Sequence, residues 1–169
     1  GGTTFTVEDL TITGASRGIF VTSAGTDSTT TVTRVAIIGS TEYGMEIENS
    51  DLTITDSTVT GTLSSENLRY STFFDPREIV ITGSHFDGAI TERGGWFLLS
   101  GAAHLEMSDT TFDGNNLDGM QLTMNNGATA TLRTVTATAN EQHGLNFWVV
   151  SGSSIDLDDS DGDTNGWSG

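Results

Sequence analysis

The chain has 169 residues, 34% of them apolar and 17% charged, with 21 Gly, one Pro and no Cys. No run approaches the ~18 apolar residues of a membrane-spanning helix, no basic-then-apolar stretch opens the chain as a secretory leader would, and thiol chemistry and disulfides are excluded. The 23 Asp and Glu against six Arg and no Lys leave a net charge of −17, so neither nucleic acid nor membrane insertion is expected. The acidic, lysine-free composition points instead to an extracellular or cell-surface setting that is salty or rich in divalent cations.

Along the chain a ten-residue pattern recurs: apolar, any, apolar, any, small or acidic, any, any, apolar, any, Gly. Residues 5–14, 52–61, 79–88 and 105–114 fit it, and residues 30–39, 130–139 and 155–164 are looser copies. The second apolar position falls at Val7, Val32, Ile54, Ile81, Met107, Leu132 and Leu157, at intervals of 25, 22, 27, 26, 25 and 25 residues. A second signature, Gly followed by alternating apolar residues, interleaves with the first at Gly18-Ile19, Gly44-Met45, Gly95-Trp96, Gly119-Met120, Gly144-Leu145 and Gly166-Trp167. One copy lacks its Gly: residues 70–74 take its place, and residues 63–69 ahead of it read as an inserted loop.

Each period therefore holds about three short Thr-, Val- and Ile-rich segments with two-residue alternation, separated by Gly, Asn, Asp and Ser turns, and no segment sustains a helical stripe. The fold expected is all-β: one parallel β-solenoid over residues 1–169, of about seven coils and roughly 25 residues per coil. Neither end carries a polar cap, so the chain reads as a segment of a longer solenoid or a unit that self-associates end to end or laterally. Three inward columns follow: Ile19, Met45, Trp96, Met120, Leu145; Val7, Val32, Ile54, Ile81, Met107, Leu132, Leu157; and Ile12, Ile37, Val59, Phe86, Phe112, Ala137. Two outward columns flank the Gly-headed strand: Phe20, Glu46, Phe73, Phe97, Gln121, Asn146, and Thr22, Glu48, Asp75, Leu99, Thr123, Trp148.

The Asn/Asp-x-Gly-apolar punctuation, as in Leu117-Asp118-Gly119-Met120 and Gln142-His143-Gly144-Leu145, resembles the right-handed parallel β-helix proteins of the pectin lyase-like superfamily over essentially the whole chain. Asp75-Pro76-Arg77-Glu78 and Asn140-Glu141-Gln142-His143-Gly144-Leu145-Asn146 are similar to motifs of the alginate (mannuronan) epimerases. That resemblance implies His143 as the acid/base group at the sugar C5, with Asp118 and Asp75 beside it, Arg77 in the motif and Tyr70 as the phenol. The chain departs from that pattern with Gln142 where the family has Arg, Arg77 where it has His, and Thr123 where it has Asp.

Read from the residues alone, Phe73, Phe97 and Trp148 with Glu46 and Glu48 make a face of exposed aromatics beside carboxylates, the combination that holds sugar rings. Asp159, Asp161 and Asp163 have the alternate spacing of a calcium loop, so calcium is the cofactor implied, bound by hard oxygen ligands. Two functions fit. The first is an extracellular β-helix that binds or modifies an acidic polysaccharide or cell-surface glycan, as an epimerase or lyase if it is an enzyme. The second is a non-enzymatic structural or adhesive solenoid within a large surface protein or filament.

Overall fold

The computed structural model describes residues 2–23, 27–73, 76–150, 152–162 and 165–166. The described residues form 17 strands and no helix, and every pairing is parallel, between segments one coil apart. Three faces stack along one axis. Face one consists of β1 (Thr4–Glu8), β4 (Thr29–Thr33), β7 (Asp51–Thr55), β10 (Glu78–Thr82), β13 (His104–Thr111), β15 (Thr129–Thr136) and β17 (Ser154–Asp158). Face two holds β2 (Thr11–Thr13), β5 (Ala36–Ile38), β8 (Thr58–Thr60) and β11 (His85–Asp87), continued by the second halves of β13 and β15. Face three stacks β3 (Ile19–Thr22), β6 (Met45–Glu48), β9 (Leu68–Ser71), β12 (Gly95–Leu99), β14 (Met120–Met124) and β16 (Leu145–Val149).

The repeat pattern explains the corners. Its small-or-acidic position turns the chain between faces one and two in the left-handed region, at Asp9, Arg34, Asp56, Gly83, Asp109, Thr134 and Asp159. Asp tolerates that conformation better than most non-glycine residues. The residue after this corner ties coil to coil: the Ser57 hydroxyl accepts from Val35 N at 3.1 Å, Ser84 from Ser57 N at 3.2 Å and Ser160 from Val135 N at 3.3 Å. The pattern's closing Gly makes the second corner, with φ of 63–67° at Gly14, Gly39, Gly61, Gly88 and Gly114. In the last described repeat Ala139 takes that conformation at φ 56°. Inside that turn Asn140 Oδ1 accepts from Asn115 N at 2.8 Å and Nδ2 at 3.0 Å, and Asn165 Oδ1 does the same for Asn140 at 2.9 and 3.0 Å.

The core is the stack of inward side chains. Val32, Ile54, Ile81, Met107 and Leu132 from face one, and Ile37, Val59, Phe86, Phe112 and Ala137 from face two, are fully buried. Phe86 and Phe112 stack with centroids 5.3 Å apart.

Three expectations need correction. The solenoid has about six turns, not seven, because the seventh copy contributes β17 and a bridge at Asp161 but no face-three strand among the described residues. Leu68 and Arg69 belong to strand β9, so the stretch expected as an inserted loop runs into a strand of face three. Finally, the register of β12 is shifted by one residue. Gly94, not Gly95, is the corner glycine, and Gly95 pairs with Leu68 and Met120 in the inward column. The Phe112 ring decides this, because a Cβ on residue 95 would lie 2.6 Å from it and 2.9 Å from Phe97. Trp96 consequently faces outward, and Phe97 and Leu99 are buried.

Candidate functional site

Face three is entered through a turn whose last residue is Gly18, Gly44, Gly94, Gly119 or Gly144. At Gly94, Gly119 and Gly144 a Cβ would come within 2.4, 2.7 and 2.5 Å of the backbone oxygen of Phe86, Phe112 and Ala137, so only glycine fits the close approach. The residue before that position lines one edge of face three in every coil: Arg17, Tyr43, Glu66, Arg93, Asp118 and His143. The last three lie 25 residues apart and therefore stack directly.

Asp118 is the hub. Its side chain is 2% exposed, yet it is a carboxylate: Oδ1 lies 2.8 Å from His143 Nδ1, and Oδ2 accepts from Arg93 Nε at 3.1 Å and from Asn146 Nδ2 at 3.3 Å. Burial pushes the Asp118 carboxyl up, but the hydrogen bonds from His143, Asn146 and Arg93 outweigh it and hold the group below the ordinary aspartate value. Arg93 also pairs with Glu92 at 3.0 Å and Glu66 at 3.9 Å. Burial raises the Glu92 carboxyl, with Arg93 opposing and the Glu66 and Asp118 charges adding. Asp118 thus orients a histidine ring that remains one-third exposed, with Nδ1 turned to the carboxylate and Nε2 on the opposite side of the ring. A carboxylate so placed selects the tautomer and orientation of the imidazole, the arrangement used for general acid/base work.

The outward columns of face three read Phe20, Glu46, Arg69, Trp96, Gln121, Asn146, and Thr22, Glu48, Ser71, Leu98, Thr123, Trp148. Arg69 and Trp96 therefore stand where Phe73 and Phe97 were expected. Phe97 is in the core, and Phe73 lies beyond the end of β9, 44% exposed. Trp148 is 62% exposed and shares β16 with Asn146. Glu46 is buried against Arg17 at 3.0 Å, and Glu48 accepts from Thr22 Oγ1 at 3.3 Å on the same face.

Of the residues expected to do chemistry, the structure brings Asp118 and His143 together. Tyr70 points inward, fully buried, and its hydroxyl donates to Ser50 O at 2.7 Å. Burial pushes that phenol well above its ordinary pKa, so it serves the core and not an open cleft. Arg77 is buried at the opposite end of β9, with NH1 4.0 Å from Asp51. Asp75 and Asp163 lie outside the described residues. Asp159 occupies a left-handed corner and Asp161 the bridge to Thr136; among the described residues no group of three or more acidic or histidine side chains gathers as around a metal ion. Arg93 escaped notice as a partner of the dyad, although its place 25 residues before Asp118 is the signal that finds it. A shallow cleft bounded by Ile90, Asn116 and Glu141 opens beside the second corner.

Compared with known proteins, residues 1–161 match the family described as right-handed beta helix region, and the chain belongs to that family. A search of the curated proteins finds no match.

Proposed function

We propose that this member of the right-handed β-helix family binds an acidic polysaccharide along face three, outside the cell or at its surface, and transfers a proton at the sugar through His143. The observation that carries the reading is the buried Asp118 carboxylate, bonded to Nδ1 of a part-exposed imidazole and steadied by Arg93 and Asn146. With Nδ1–H donated to Asp118, Nε2 holds the lone pair. It can take the proton from the carbon next to a uronate carboxylate, the electron pair moving onto that carboxylate. Trp148 on β16, which follows His143, offers an apolar face for a sugar ring, and Gln121 and Asn146 add amides in the column beside it. The test is incubation with a panel of uronate polysaccharides, with and without calcium, following unsaturated products and C5 proton exchange. Chemistry on at least one polymer, lost in His143→Ala, supports the reading; silence and no binding across the panel overturn it.

One observation favours a second reading. Glu66, Arg93, Asp118 and His143 stitch four consecutive coils, which is also what a purely structural or adhesive solenoid needs on an exposed edge. On that reading His143→Ala lowers stability and changes no chemistry.

A further inference from the structure

In a chain with 23 acidic residues and six arginines, five of the arginines pair with carboxylates among the described residues. Arg17 pairs with Glu42 and Glu46, Arg34 with Glu8 and Asp9, Arg77 with Asp51, Arg93 with three acids, and Arg133 with Glu106. Arg69 is the exception: no carboxylate of the described residues pairs with it, although Glu46 is its register neighbour on the preceding coil. Arg17 holds Glu46, and the Arg69 guanidinium lies instead between two rings, 5.5 Å from the Tyr43 centroid and 5.0 Å from that of Trp96. NH1 donates to the Tyr43 hydroxyl at 2.7 Å, and Nε has no acceptor. Arg17 continues the stack over Phe20 and Tyr43, at 4.8 and 5.6 Å.

Stacked rings hold a guanidinium in place without neutralising it, leaving its charge and outer donors for an anion that the protein does not itself supply. We propose that Arg69, fixed by Tyr43 and Trp96, is the subsite that recognises a sugar carboxylate. The inference rests on the acidic-polysaccharide reading above and deepens it. Arg69 lies on β9 and His143 just ahead of β16, three strand spacings away, or about 14 Å along the axis. Trp96 and Gln121 fill the column between, so a glycan lying on face three sets one uronate on Arg69 while another unit meets His143. Its carboxylate accepts from the outer guanidinium N–H groups, and the exposed part of Trp96 packs against the ring.

The test measures affinity of the whole chain for polygalacturonate and polymannuronate, and for the same polymers after reduction of their carboxyl groups, by affinity electrophoresis and calorimetry. The wild type binds the carboxylated polymers and not the reduced ones. Arg69→Gln weakens that binding by about 10-fold or more, the worth of one charged hydrogen bond, and Arg69→Lys, which keeps the charge without the fork, falls between. Arg133→Gln, which removes an exposed arginine of face one, binds as the wild type does. Retained binding by Arg69→Gln, equal binding of the reduced polymers, or no binding by the wild type overturns the proposal. Arg69-dependent binding with no C5 exchange leaves it standing while removing the proton-transfer role of His143. Circular dichroism checks the fold of each variant, and Arg69→Lys carries the test should Arg69→Gln be unfolded.

Discussion

His143 Nδ1 and Asp118 Oδ1 lie 2.8 Å apart although 25 residues separate them, because each occupies the same position in consecutive coils. The contact joins a buried carboxylate to a part-exposed ring, and its strength depends on Asp118 being ionised. Folding holds the Asp118 carboxyl below the ordinary aspartate value, so the contribution is present in full above that ordinary value and is lost as pH falls through the lower folded one. We expect Asp118→Asn to lower stability by about 1–3 kcal/mol at neutral pH and to flatten the acid limb of the stability curve. Urea unfolding at a series of pH values checks this, and an acid limb of unchanged slope contradicts it.

The register of β12 makes a prediction that side-chain size alone does not. Phe97→Ala removes a fully buried ring and should cost about 3–5 kcal/mol, whereas Trp96→Ala, on the outer face, should cost well under half of that. Equal losses in denaturant titrations would mean that the two side chains share the interior.

Gly95 gives an independent check of the same register. The Cβ of Gly95→Ala meets the side chains of Phe112 and Phe97, so the variant should lose about 1–3 kcal/mol, and Phe112→Leu should restore part of the loss. For Gly94→Ala the nearest atom is the Phe86 carbonyl, which no side-chain change can move, so no such rescue is expected. Thermal melts of the single and double variants decide between them.

Removing the side chain of Asn140 leaves the buried Asn115 N and Nδ2 without their acceptor. Asn140→Ala should therefore cost about 1–3 kcal/mol, seen as a lower midpoint in urea. Asn140→Asp keeps the acceptor but sets a carboxylate against Asn165 Oδ1, so its loss should shrink as pH falls and the new carboxyl protonates. A loss independent of pH would contradict this pairing.

Much of the fold was legible because a solenoid repeats its physics. The 25-residue spacing of Val7, Val32 and their successors marks the inward face, and the Asp and Gly positions of the pattern mark the two corners. The site was legible only in part. Asp118 and His143 stand beside corner glycines that the repeat identifies, so their stacking follows from the period. Gly94-Gly95 reads equally well in two registers, and only the Phe112 ring, 17 residues ahead in sequence, selects one; that choice moved Phe97 inward and Trp96 outward. The Gly-less coil hid Arg69 in the same way. Asn67 takes the glycine's place there, with its side chain tucked inward to donate to Asp87 O at 2.9 Å. Tyr70 then follows the strand into the core, where its hydroxyl finds Ser50 O.

The most direct test of the account is solvent exchange at the sugar C5. Polymannuronate and polygalacturonate are incubated in deuterium oxide with the wild type, His143→Ala and Asp118→Asn, and deuterium at C5 is read by NMR. The account predicts incorporation with the wild type, its loss in His143→Ala, and a rate reduced at least 10-fold in Asp118→Asn, about the contribution of one charged hydrogen bond. Incorporation that persists in His143→Ala, or that the wild type fails to produce on either polymer it binds, would contradict it.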